Sequence, residues 1–259
     1  MALVLTFKFN FMTNNSVSGH VQNVANLDEL ILSVLGYGAT YNPTKESFKI
    51  ASLQALSLSA KNAIDEVNFA RPNYGNAVAA REAAFEPLDK LVTRVLNAVI
   101  ATDTTTQVDE HVRSLVLKIH GTRITPKKTE EEKKAIEAKG KVVKEISATQ
   151  TGYDSRLDHL DQLIKLLSTI PEYVPNEKEL KIESLMDFYT SLKIKNTAVA
   201  NSSLPLKNAR IVRNDIISKP KSGLVDIALD TKAYVKSIFG ATSPQYKQIA
   251  KLHFKAVPL

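Results

Sequence analysis

Three basic residues, Lys207, Arg210 and Arg213, follow one another at intervals of three along a predicted helix, with Lys193, Lys195, Lys219 and Lys221 nearby in sequence. A stripe of this kind can contact the phosphates of nucleic acid or the head groups of an anionic membrane, because each cation that meets a phosphate releases a counterion. Nucleic-acid readers usually add aromatic stacking residues or a named motif, and this stretch has neither. Asp215 also interrupts the run. The ordinary reading is a solvated helix face, and Lys207, Arg210 and Arg213 stand as candidate anion-binding residues beside it.

The carboxylates and histidines offer less. Asp154, Asp158 and Asp161 fall at i, i+4 and i+7 with His159 among them, a spacing that could present oxygen ligands to a hard cation. A solvated acidic face explains it more simply. None of His20, His111, His120, His159 and His253 has a glutamate three residues before it, so the paired Glu-x-x-His motif of di-iron bundles is missing. His120 and His253 hold matching positions near the ends of two similar segments, where an imidazolium suits the negative end of a helix dipole. Cysteine is absent, which excludes thiol catalysis, disulfides and thiolate-held metals. Ser218-Lys219-Pro220-Lys221 fits Ser-x-x-Lys, but Pro220 disfavours the helix that would align serine and lysine. Gly36-Tyr37-Gly38 lacks the preceding strand of a dinucleotide loop and reads as a helix stop. No catalytic residue, metal site or cofactor is expected.

The elements that would carry these residues come in two series. Shifting the chain by 132 to 133 positions aligns Leu27-Asp28 and Leu30-Ile31 with Leu160-Asp161 and Leu163-Ile164, and Tyr41 and Pro43 with Tyr173 and Pro175. Lys49-Ile50-Ala51-Ser52-Leu53 meets Lys181-Ile182-Glu183-Ser184-Leu185, and Lys118-Ile119-His120 meets Lys251-Leu252-His253. Pro72 and Pro87 fall on Pro205 and Pro220. An ordered series of rare residues at one offset marks an internal duplication.

Each copy has apolar residues at helical spacing. In the first, Val21, Val24, Leu27, Ile31 and Val34-Leu35 form one stripe, and Ile50, Leu53, Leu56, Ala60, Ile64 and Val67 a second. Thr44 with Glu46 reads as the N-cap of that second helix. Pro72 is expected to end or kink it, with a new helix from Asn76, bent or restarted at Pro87. A last helix opens near Thr106. The second copy repeats this plan through Tyr153, Leu157, Leu160 and Ile164, then Leu185, Tyr189 and Leu192, then Leu224, Ile227, Val235 and Ile238.

The expected architecture is all-α, two tandem repeats of an antiparallel four-helix bundle with a short extended N-terminal arm. A single fold sharing helices between the copies is the alternative. The divisions are an arm at 1–13, where apolar residues alternate, the first repeat at 14–120, a charged and partly helical linker at 121–146, and the second repeat at 147–259. The net charge of +7 is uneven: −2 over 14–120, +3 over 121–146 and +4 over 147–253. Opposed charge on similar units could let molecules associate head to tail. No run reaches the roughly 20 apolar residues of a membrane span and no signal peptide is evident, so the cytoplasm is the default location, with export by another route left open.

The residues Ile238 to Gln248, with Leu91 to Ala98 and Asn208-Ala209-Arg210, resemble an uncharacterised family of duplicated all-helical proteins of Bacteroidota, particularly flavobacteria-like species. The resemblance covers most of the chain after the arm. It implies the duplicated helical architecture and no assigned activity, cofactor or site. The function expected is therefore a non-enzymatic structural or protein-interaction module, self-assembling or bound to a protein partner. The alternative is an anion-binding protein that uses its basic second repeat on nucleic acid or an acidic membrane.

Overall fold

The computed structural model describes residues 15–122 and 152–256. The arm at 1–13 and nearly all of the 121–146 linker lie outside the described residues. Within them the chain is helical and contains no strand: α1 (Asn15–Gly36), α2 (Ile50–Phe85), α3 (Leu88–Ile100), α4 (Thr106–Ile119), α5 (Tyr153–Leu167), α6 (Ile182–Ser218), α7 (Leu224–Phe239) and α8 (Pro244–Ala250).

The helices form where the apolar spacing asks for them. Val24, Leu27, Leu30, Ile31 and Val34 line the buried face of α1, and Leu53, Ala60, Ala63, Ile64 and Val67 that of α2. Start signals act locally: Thr105 caps α4 by accepting from Val108 N, and Ser243 caps α8 by accepting from Tyr246 N, with Pro244 in the first turn. Gly223 has a steric role. A Cβ there would lie 2.6 Å from Lys219 N and 2.7 Å from Lys219 O, backbone atoms of the turn that leads into α7.

Two expectations about α2 change. Thr44 does not cap it. A 3-10 turn at Glu46–Phe48 intervenes and the helix begins at Ile50. The cause is a buried tie: the Tyr41 hydroxyl donates to Phe48 O at 2.7 Å and closes the loop ahead of the helix. The same geometry recurs at Tyr173, whose hydroxyl donates to Leu180 O at 2.8 Å over a 3-10 turn at Lys178–Leu180.

Pro72 does not end α2 either, and Pro205 lies inside α6. A proline within a helix strands the carbonyl four residues earlier. Here those carbonyls belong to Asn68 and Asn201, both exposed residues whose carbonyl water can satisfy. The helix therefore runs on through each proline.

Contacts divide the chain into two compact units, one of them made of two stretches far apart in sequence. The first combines residues 1–74 with 203–259, and the second is the continuous stretch 75–202. The first unit's main core gathers Leu27, Leu30, Val34, Tyr41 and Leu53 from α1, its following loop and α2 with Ile217, Leu224, Ala228, Val235 and Ile249 from the end of α6, α7 and α8. A smaller cluster in the same unit sets Val67, Ala70 and Tyr74 of α2 against Leu206 and Ala209 of α6. The second unit's core joins Phe85, Leu88, Val92, Val95, Leu115 and Ile119 to Leu160, Leu163, Leu167, Leu185 and Leu192. Each core is thus built from segments on both sides of the 121–146 stretch, remote from one another in sequence.

Val21 and Leu35, assigned above to the apolar stripe of α1, are exposed instead. With Leu32 they lie along the edge of the buried face and beyond it, on the side away from Leu30. No described helix is long and apolar enough to cross a membrane.

Candidate anion-binding site

In the first unit α1, α2 and α6 bring His20, Arg71 and Arg213, with Asn68, Ile64 and Val67, together around one narrow crevice that leaves no room for a water molecule. Arg213 is half-buried, and its guanidinium donates twice to Asn214 Oδ1, from Nε at 3.0 Å and from one terminal nitrogen at 2.8 Å. Its pKa is lowered by burial first and then by the positive charges of Arg210 and Arg71. Among the described residues no carboxylate comes within ion-pair distance of Arg71, Arg210 or Arg213. Such a cluster costs free energy by mutual repulsion unless an anion or water screens it.

His20 is nearly fully buried, and its Nδ1 is enclosed without a hydrogen-bond partner. Burial, followed by the charge of Arg213, pushes its pKa down to about 4. The imidazole is therefore neutral at neutral pH, and a ring N–H is its only donor.

Of the three residues singled out in the sequence, Arg213 lines the crevice, and Arg210 is exposed beside it, near enough for its charge to act on Arg213. Lys207 is exposed on the same helix and does not line the crevice. Arg71 and His20 were missed. Both come from helices remote in sequence, and the one hint was that Arg71 directly precedes Pro72, the partner of Pro205 in the alignment of the copies.

The other candidates disperse. Asp154 accepts from Asn196 Nδ2 at 2.6 Å, Asp158 from Gln162 Nε2 at 2.8 Å, and Asp161 pairs with Lys165 Nζ at 2.6 Å. Each of the three carboxylates is engaged separately, and the described residues contain no metal-binding group of histidine, aspartate and glutamate. His120 and His253 do different things. His120 is the C-cap of α4, whereas His253 lies beyond Lys251, the C-cap of α8, and its carbonyl accepts from Asn26 Nδ2 at 2.7 Å. The short α8 stops before the position that α4 reaches.

His120 does stand in a suggestive row, with Thr93 Oγ1 3.2 Å from Nε2 and Asp89 Oδ1 3.4 Å from Nδ1. That is the order of nucleophile, base and orienting acid. The hydrogen inventory argues against the chemistry. Thr93 gives its one hydroxyl proton to Asp89 O at 2.8 Å, and Asp89 Oδ1 is claimed by Arg156 at 2.6 Å. The row is better read as a surface tie between α3, α4 and α5. Ser218 and Lys221 are not aligned on a helix: Ser218 ends α6, and Lys221 adopts a left-handed φ of 67° in the turn beyond.

An open groove of about 700 Å³ in the second unit is lined by Lys90, Leu91, Arg94, Lys178, Glu179 and Phe188 among others, and Arg94 and Glu179 pair across it.

Comparison with protein-family models, curated proteins and solved structures found no match.

Proposed function

We propose that this chain is a non-enzymatic interaction protein whose helix faces bind protein, copies of itself included. The observation that carries the reading is a set of exposed apolar residues on one side of α1, on either side of Asp28, which pairs with Lys61 of α2. Val21, Leu32 and Leu35 are 48%, 69% and 45% exposed, and at 100° per residue they fall within about 60° of one another. Single exposed leucines are ordinary, but an aligned set on one exposed side of a helix is what a partner helix or groove engages. Under this reading the two series of elements descend from one duplicated unit. The paired loops at Tyr41 and Tyr173 support that descent, and the opposite charge balance of the copies orients association. Light scattering across a range of concentrations tests the proposal. Self-association that weakens in Leu32→Lys supports it, and a concentration-independent monomer that Leu32→Lys leaves unchanged counts against the self-assembling form.

A second reading, binding of acidic nucleic acid or membrane through the basic stripe, is favoured by the unpaired Arg71, Arg210 and Arg213. Its sign is retention on DNA or on anionic vesicles that falls steeply with salt.

A further inference from the structure

We propose that Arg71, Arg210 and Arg213, with His20 beneath them, form a specific site for a single oxyanion of the phosphate class. The proposal goes beyond self-association and shares with the basic-stripe reading only the sign of the ligand's charge. It rests on two independent observations. The first is the meeting of positive charge from α2 and α6 at one crevice, with no carboxylate paired to it among the described residues. The second is Nδ1 of His20, a residue that lines the crevice: the atom is buried and has no hydrogen-bond partner among the described residues. A buried ring nitrogen without a partner is costly in either tautomer, and native proteins seldom leave one so; in the Nδ1–H tautomer it needs an acceptor.

A phosphate group answers both. Its oxygens accept from guanidinium groups in the paired geometry that arginine favours, and a remaining oxygen can accept from His20 Nδ1–H. Its charge offsets the repulsion among the three arginines. The crevice is too narrow to enclose the whole ion, so the anion sits at its mouth. Arg71 and Arg213 then turn toward it and open the path to His20. A carboxylate, with two oxygens and one charge, satisfies fewer of these donors, so phosphate is preferred. Neutral His20 contributes a directed hydrogen bond without adding to the positive charge. Lys207, exposed and outside the crevice, contributes only to the long-range field.

The test uses the full chain with ¹⁵N-labelled histidine, following the imidazole resonances while inorganic phosphate replaces chloride at constant ionic strength. The expected result is a saturable shift confined to His20, a rise in Tm with phosphate, and weaker saturation with acetate. Arg71→Gln and Arg213→Gln each weaken phosphate binding by about tenfold or more, and Lys207→Gln leaves it nearly unchanged. Arg210→Gln, at an exposed position, should preserve the fold and weaken binding, and so covers the case in which the half-buried Arg213 variant fails to fold. Vesicles of phosphatidylcholine with phosphatidic acid, against phosphatidylcholine alone, form a second arm. Binding to those vesicles without response to free phosphate, lost in Arg210→Gln, assigns the same phosphate chemistry to a lipid head group. A His20 resonance that does not move in either arm overturns the proposal. So does a phosphate response that Arg210→Gln and Arg71→Gln both leave as it is in the wild type. Salt-sensitive retention on DNA with no phosphate response sinks this site while leaving the broader basic-stripe reading standing.

Discussion

Asn23 and Lys255, 232 positions apart, are joined by two hydrogen bonds that pair a side-chain amide with a backbone: Asn23 Nδ2 donates to Lys255 O at 2.8 Å, and Lys255 N donates to Asn23 Oδ1 at 3.1 Å. Asn26, one turn along α1, donates to His253 O at 2.7 Å. Two buried asparagines on α1 thus hold the segment that follows α8 and satisfy backbone groups that have no helix of their own to bond within.

Asn23→Ala should lower unfolding free energy by about 1–3 kcal/mol, because it removes both bonds and leaves polar groups of the packed segment unpaired. Lys255→Ala should change little, since only the backbone of Lys255 takes part. Urea denaturation of the two variants separates these expectations. An equal loss in both would mean that the side chain of Lys255, and not the amide pairing, holds the segment.

The matched tyrosines predict alkaline sensitivity. Burial pushes the Tyr41 phenol up to about 12, with Tyr234 adding to it, and burial pushes Tyr173 up to about 12, with the charge of Glu177 adding to it. Below pH 10 folded and unfolded chains both keep these protons, and the stabilisation is fully present. Between pH 10 and 12 the unfolded chain releases them and the folded chain does not, so stability falls with rising pH, by up to about 1.4 kcal/mol per pH unit for each tyrosine. The double variant Tyr41→Phe with Tyr173→Phe should lose about 1 kcal/mol per site at neutral pH and show a shallower decline above pH 10. An unchanged alkaline slope would mean that other groups cause the decline.

His20 predicts acid sensitivity of the opposite sense. Its folded pKa, pushed down to about 4 by burial and then by Arg213, lies below the unfolded value near 6.5. The stabilisation is therefore present above pH 6.5 and lost as pH falls toward 4, by at most about 3 kcal/mol. His20→Gln, which cannot take up a proton there, should flatten the profile of Tm against pH between 6.5 and 4. Parallel profiles for wild type and variant would rule out His20 as the acid-sensitive group.

Much of this fold was legible in the amino-acid order. The stripes through Leu27, Leu30 and Ile31 and through Leu160, Leu163 and Ile164 fix the helices, and all six residues are buried. Which segments share a core was not legible, for a physical reason. Because the aligned segments around Val92 and Val225 present similar apolar residues, periodicity cannot say which of them Leu27 packs beside. Pro72 and Pro205 misled because proline's cost in a helix depends on whether the stranded carbonyl meets water, which a sequence does not display. Val21 and Leu35 were placed inside because they border the stripe within the width that an apolar face spans. At the candidate site, the spacing of Arg210 and Arg213 was visible. Arg71 and His20 joined them through tertiary packing alone.

Each compact core joins segments from both sides of the 121–146 stretch: 1–74 with 203–259 in one unit, and both flanks of that stretch within 75–202 in the other. The direct measurement is to place a specific protease site between Thr122 and Gly152, cleave the folded protein, and size it by native light scattering beside the uncut chain. Because Leu27 and Leu53 pack with Leu224 and Val235, and Val92 and Ile119 pack with Leu160 and Leu185, the two fragments should stay together with the mass of the uncut protein and part only in denaturant. Clean separation of the fragments into two independently folded halves under native conditions would contradict the claim.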